Sequence, residues 1–291
     1  MNIITKEGNK MENKYMHFII TRFNIPAKYE GGRNQSVLSI DPRTNRKYLD
    51  ERFRLFEKYT FPSIRKQSNQ QFTWLVLFSN QTPKEYVSRV VKLKGKWENF
   101  RPLYLTDEEA YNFNEYLNDV LSEYDSDYYI TTRIDNDDAI SVKFIERIQN
   151  YCFRKEIEKA VLSFSYGLQL TEKNKTVAHQ TILGNHFITL VAPREPENKT
   201  IISFPHGMIP KEIPRIDIGN RREAMWIEVV HGSNFANRTF FNIKNAAVST
   251  KIFEEFVCEI EWRRKDVMNN LFLSIWGTCR CFVQLIKKRR E

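Results

Sequence analysis

The sequence predicts an α/β protein in which a mixed β-sheet is flanked by helices and followed by a helical C-terminal extension. Three observations carry that expectation. β-Rich runs alternate with segments of helical period over the first 155 residues. The run Phe72 to Phe78 is apolar almost throughout, as in a strand covered on both faces. Beyond residue 155 short β-rich runs are separated by prolines, which suits strands completing the same sheet better than a second domain.

The elements follow in order. His17 to Ile25 reads as the first strand, and the polar loop after it, with Gly31 and Gly32, continues to about residue 46. From about Tyr48 to Gln67 apolar residues recur at Phe53, Phe56, Tyr59 and Ile64, a helical spacing in which Pro62 marks a kink or break. Phe72 to Phe78 is the second strand, and Pro83 opens a helix to about Leu93. Phe100 to Leu105 is the third strand, after which Thr106 and Glu109 form a capping box for a helix to about Glu123. A strand from Tyr128 ends in an acidic run, and Phe144, Ile145 and Ile148 mark the face of a helix from about Ser141. Ala160 to Leu170, Thr181 to Val191 and Ala224 to Val230 read as strands, and Lys251 to Arg264 as a helix.

Composition bounds the function. The chain of 291 residues is 41% hydrophobic and 13% aromatic, enough for a sizeable core, so disorder is expected only at its ends. A net charge of +9 attracts something anionic, but Lys287, Lys288, Arg289 and Arg290 at the very end hold much of it, and nucleic acid is not the expected partner. Cys152, Cys258, Cys279 and Cys281 match no zinc spacing and read as reduced thiols. Residues 1–14 are polar with no apolar core, so a flexible N-terminus and a cytoplasmic protein are expected, and no run is long enough to span a membrane.

The acidic run is the richest signal. Asp135, Asp137 and Asp138 crowd three carboxylates into four positions at the end of a strand, and like charges so close need a compensating cation. Hard oxygen ligands of this kind suit Mn²⁺ or Mg²⁺, which are usually held by one or two carboxylates together with the phosphates of a substrate. A turn that caps the next helix is the structural alternative. An EF-hand loop is excluded, because Ile140 stands where its glycine would be. Ligands of such sheets bind at the carboxyl ends of the strands, where this run lies. An Asp-x-Asp after several βα units is what a metal-dependent nucleotide-sugar transferase of the GT-A type requires.

Several further segments fit that pattern: Thr21-Arg22-Phe23-Asn24, Arg52 to Glu57, Phe72 to Phe78, Thr132 to Ala139 and Trp226 to Asn234. In that order and spacing they resemble the bacterial putative rhamnosyltransferase family, a GT-A-like group, over roughly residues 17 to 240. The resemblance implies a glycosyltransferase domain over 15–247 that takes a sugar, rhamnose from a dTDP-linked donor, and passes it with inversion to a glycan or lipid-linked acceptor. It implies that Arg22 and Asn24 border the nucleotide, and that Arg52 and Arg133 contact the diphosphate. Asp137 is the expected metal ligand, with Asp135 sharing the ion or facing the ribose. His231 is the candidate late ligand, in competition with His206. Asn234 would orient a sugar hydroxyl and Trp226 would stack on a sugar face, a buried indole being the alternative. The general base stays open among Asp138, Glu195, Asp217 and Glu228, and Asp138 also stays open between base, ligand and helix cap.

In the extension, 248–291, Met268, Leu271, Phe272, Ile275, Trp276, Cys279, Phe282, Val283 and Ile286 fall at helical spacing before Lys-Lys-Arg-Arg. That suits an interfacial helix on the inner, anionic face of a membrane, or a helix packed on the domain with a solvated basic tip. Two other functions stay open: a Mg²⁺-dependent nucleotidyl or phosphoryl transferase using the same carboxylates, and a non-catalytic basic scaffold.

Overall fold

A computed structural model describes residues 14–26, 40–204, 208–219, 223–232, 245–258 and 260–288, with backbone alone at 277 and 279–288. The first half runs β1 (Tyr15–Arg22), α1 (Arg46–Leu55), α2 (Phe61–Arg65), β2 (Thr73–Ser79), α3 (Lys84–Lys94) and β3 (Phe100–Leu105). It continues through α4 (Asp107–Tyr111), α5 (Phe113–Ser122), β4 (Tyr128–Arg133), β5 (Ala139–Ile140) and α6 (Phe144–Lys155). The second half holds β6 (Ala160–Phe164), β7 (Tyr166–Thr171), β8 (Thr176–Thr181), β9 (Ile188–Pro193), β10 (Arg215–Ile218), β11 (Trp226–Val230) and α7 (Arg264–Lys288).

Seven strands form the main sheet in the order β10-β6-β9-β4-β1-β2-β3. β3, β2, β1 and β4 are mutually parallel, and β9 runs antiparallel to β4 and β6. The expected mixed α/β sheet is therefore present. Both of its faces are covered: Ile19, Trp74 and Val76 join one apolar core, while Phe18, Ile20, Leu75 and Leu77 join another. The carboxyl ends of β1, β2 and β4 consequently emerge side by side.

A second sheet, β5-β11-β7-β8, lies beyond those ends. β5 follows the acidic run directly and pairs antiparallel with β11. Residues 134–138 therefore form the seam between the two sheets, with β4 on one side and β5 on the other.

Several elements differ from the sequence reading. The stretch 160–170 is two strands, β6 and β7, that part at Ser165 and enter different sheets; both are buried almost throughout, so one continuous β-rich run hides the break. The stretch 181–191 holds the end of β8, a turn and the start of β9, and Gly184 in the turn takes φ +58°, a conformation that glycine adopts without strain. Lys251 to Arg264 is not a helix. Its backbone closes over two or three residues, Phe256 to Phe253 and Ile260 to Cys258, and the Glu255 carbonyl instead accepts from Val142 at 2.9 Å. A spacing of three, Phe253 to Phe256, serves such turns as well as it serves a helix.

Pro62 acts through a π turn. Helix α1 passes into α2 across Phe56–Thr60, where the N–H of Phe61 reaches back five residues to Phe56. The capping box forms as expected, with Thr106 N–H donating to Glu109 at 2.7 Å and Glu109 N–H to Thr106 at 3.2 Å. Its helix, however, breaks at Asn112 into α4 and α5.

Candidate active site

The seam loop is tied to the end of β1. Asn136 donates its amide to the carbonyls of Arg22 and Phe23 at 3.1 and 2.9 Å, so the acidic run cannot swing away from the parallel strands. Each carboxylate then meets a different basic side chain. Asp135 accepts from Arg133 at 3.0 and 3.1 Å. Asp137 Oδ2 accepts from Arg52 Nη1 at 2.7 Å and lies 2.9 Å from His231 Nε2. Asp138 lies 3.0 Å from His186 Nε2 through one oxygen and takes the Val229 N–H at 2.9 Å through the other.

Two elements from distant parts of the chain thus converge on Asp137. Arg52 comes from α1, and its Nη1 also donates to Asn136 at 3.2 Å. His231 follows β11. Both side chains and Asp137 are largely shielded from solvent. Burial alone would favour the neutral carboxyl, but Arg52 and then His231 outweigh it and hold Asp137 below the usual carboxylate range. Asp138 behaves in the opposite way: burial, and then the neighbouring Asp137 charge, push it up to about 7. Burial would lower the His186 imidazole, yet its contact with Asp138 prevails and lifts it to about 9.

With that geometry in place, comparison with known families is decisive. The sequence profile of a family described as putative rhamnosyl transferase matches residues 16–243. The chain belongs to that family. The converging residues lie within the shared region. No curated protein matches this rhamnosyl transferase family member. Among solved structures, a putative nucleotide-diphospho-sugar transferase from Desulfovibrio desulfuricans G20 is similar at 5% identity and a TM-score of 0.32. The similarity covers 63% of this chain and 65% of that one, and at that TM-score it supports no inference.

The fold brings together Arg52, Arg133, Asp135, Asp137, Asp138 and His231 of the residues expected from the sequence. Arg22 ends β1 beside them. Asn24 serves the strand ends instead. Its buried side chain donates to Thr82 at 3.0 Å and accepts the Ser79 N–H at 3.1 Å, fastening β1 to the turn after β2. Trp226 is 0% exposed, donates to the Phe164 carbonyl at 2.7 Å and stacks on Phe187. It has no open face for a sugar, and the buried alternative holds. Asn234 and His206 lie outside the described residues. Asp138 does not cap α6, whose first turn follows Lys143 without a side-chain cap. Of the other candidate bases, Glu228 accepts from Gln169 within the second sheet, Glu195 is exposed, and Asp217 faces a cavity on the far side of His186.

Two residues escaped the sequence reading. Asn136 sat inside the acidic run, where its amide drew less notice than the carboxylates. His186 gave no signal at all, being a lone histidine in a turn 48 positions from the aspartate that it meets. It lines that cavity, of about 320 Å³, with Ser163, Arg215, Asp217 and Ile188. There Asp217 Oδ1 accepts from Ser163 and from the Gly184 N–H, the latter at 3.0 Å.

A second ionic cluster braces α1 against the second sheet. Glu172, just past the end of β7, accepts from Arg54 at 2.6 Å, Lys58 at 3.0 Å and Tyr59 at 2.6 Å. Burial opposes its charge, but these three donors prevail and bring its carboxyl down to about 2. A depressed folded pKa adds stability that is complete above the unfolded value and is lost as pH falls toward 2. Glu172→Gln should therefore lower Tm at pH 7 by several degrees, on the order of 1–3 kcal/mol, and the gap to the parent should close between pH 4.5 and 2. Thermal melts over that range check it; a pH-independent gap would assign the loss to packing instead.

Proposed function

We propose that this glycosyltransferase moves a sugar from a nucleotide-diphosphate donor to a hydroxyl of a glycan or lipid-linked acceptor, with a divalent ion held by Asp137 and His231. The observation that carries this reading is the convergence of Arg52 and His231 on one oxygen of Asp137. Asp137 Oδ2 and His231 Nε2, 2.9 Å apart, are the two groups that would hold the ion. Among the described residues no third His, Cys, Asp or Glu joins them, and the donor's phosphates would have to complete the hold on the ion. Asp135, paired with Arg133 at 3.0 Å, is assigned to the nucleotide side of the site.

A divalent ion held there would supply charge neutralisation for the diphosphate as the glycosidic bond breaks. The chain's own groups do the rest. Arg52, shielded from solvent, presents a planar cation to the phosphates, where low dielectric strengthens its hydrogen bonds. Asn136 fixes the loop so that Arg52 and Asp137 keep their mutual position. Asp138 is the candidate to accept the acceptor's proton, since a carboxyl near 7 is poised for proton transfer at neutral pH. His186, which holds it at 3.0 Å, lines the cavity in which the acceptor would lie. In the inverting form of this reaction the acceptor oxygen attacks the anomeric carbon, its proton leaves to the base, and the nucleoside diphosphate departs with the bonding pair. Rhamnose as the sugar rests on the family's description alone, and a dTDP-linked donor on the resemblance seen in the sequence.

Thermal stabilisation by a panel of nucleotide-diphosphate sugars, with Mn²⁺ or with chelator, tests this. At a hundredfold excess over Kd a donor should raise Tm by about 5 °C with metal and far less without it. If no nucleotide sugar stabilises the protein while ATP or CTP is turned over without any sugar, a nucleotidyl or phosphoryl transferase replaces this reading.

A further inference from the structure

Helix α7 is fixed on one side, and over its described first half it exposes large apolar side chains to solvent on the other. Asn270 is fully buried and clamps it to the second sheet, accepting the Val177 N–H at 2.9 Å and donating to the carbonyls of Val177 and Ala247 at 3.0 and 2.9 Å. Val267 and Leu271 pack beside it in the apolar core under that sheet. The opposite arc carries Met268, Phe272, Ile275 and Trp276, exposed by 66, 67, 48 and 56%. Four large apolar side chains on successive turns of one helix form a patch of the kind that marks an interaction surface. The sequence repeats the same spacing onward through Phe282, Val283 and Ile286.

Charge selects the occupant. Arg264 and Lys265 stand at the start of the arc, both exposed, and the sequence ends the helix with Lys287 and Lys288 before Arg289 and Arg290. The only acid within the helix, Asp266, is buried and caps it by accepting the Arg263 N–H at 2.9 Å. Two copies meeting through this face would set cations against cations in either orientation. An anionic lipid surface instead pairs with both ends while the apolar arc enters the acyl boundary. No described helix is long and apolar enough to cross a membrane, so the helix would lie on the surface rather than span it.

We propose that α7 docks this protein on an anionic lipid bilayer, with Met268, Phe272, Ile275 and Trp276 inserted and the terminal cations on the headgroups. The proposal rests on exposure and charge, and does not depend on the transferase chemistry.

Flotation of the full chain with vesicles tests it, comparing phosphatidylcholine alone with phosphatidylcholine containing phosphatidylglycerol. The protein should float with the anionic vesicles, with its affinity falling as salt rises and by at least about tenfold in the double variant Phe272→Ser, Trp276→Ser. That variant should keep the parent's Tm, because both side chains lie outside the core. Lys287→Glu with Lys288→Glu should weaken binding similarly. Equal flotation with neutral vesicles, no flotation at all, or a dimer that the Phe272 and Trp276 changes dissolve would each overturn the assignment. Because no turnover is measured, the outcome stands apart from the identity of the donor.

Discussion

Asp137→Asn is expected to reduce sugar transfer by about a thousandfold or more, with far less loss of fold. The carboxylate is the common partner of Arg52 and His231. Asparagine keeps the shape and one acceptor oxygen, yet it no longer balances the guanidinium or offers an anionic ligand. Loss of one preorganised electrostatic group at a developing charge typically costs about a hundred- to a thousandfold, and here two are disturbed together. Stability falls as well, by about 3 kcal/mol at neutral pH, because Arg52 is left as a shielded and unbalanced cation. Asp137 titrates below its ordinary value in the folded protein. Its contribution is therefore complete above the unfolded pKa of about 3.9 and fades as pH falls, so parent and variant should converge in acid. Turnover of the donor and melts at two pH values measure both effects. A variant within about tenfold of the parent in transfer would remove Asp137 from the chemistry.

Gly167→Ala should be the most damaging single change to the fold. A Cβ built on Gly167 would stand 2.1 Å from Cδ2 of Trp226 and within 2.5 Å of two other indole atoms. The indole cannot retreat, being fully buried, hydrogen-bonded to Phe164 and stacked 5.0 Å from Phe187. β7 and β11 would have to separate, and β11 carries both the Val229 N–H that holds Asp138 and the chain leading to His231. A destabilisation of about 3 kcal/mol or more follows, with Tm lower by roughly 8 °C. Adding Trp226→Phe, which removes the second ring, should recover part of it. If Gly167→Ala alone melts within about 2 °C of the parent, on the order of 1 kcal/mol, the packing around Trp226 is not what holds β7 against β11.

The parallel half of the fold was legible because strands covered on both faces are apolar throughout and helices carry caps, as Phe72–Phe78 and the Thr106 box show. The second sheet was not. Its break at Ser165 changes the sheet inside one continuous β-rich run, and β5 is only two residues long. At the site, charge density in the acidic run pointed to the seam, and the residues around His231 could be linked to it through family resemblance. His186 could not be found, because its contact with Asp138 is made by folding alone. Trp226 illustrates the opposite error: an aromatic inside a shared motif invites a ligand role, whereas here its whole surface is spent on Gly167, Phe164 and Phe187. Asn24 likewise sits in a shared motif and fastens strand ends.

Calorimetric titration of a dTDP-linked rhamnose donor into the parent and into Asp137→Asn, each with Mn²⁺ and with chelator, bears most directly on the central claim. If Asp137 and His231 hold a divalent ion against the donor diphosphate, the parent binds with Mn²⁺ and weakens by about a hundredfold in chelator, and the variant binds equally weakly in both. Equal affinity in the parent with and without metal, matched by the variant, would contradict it.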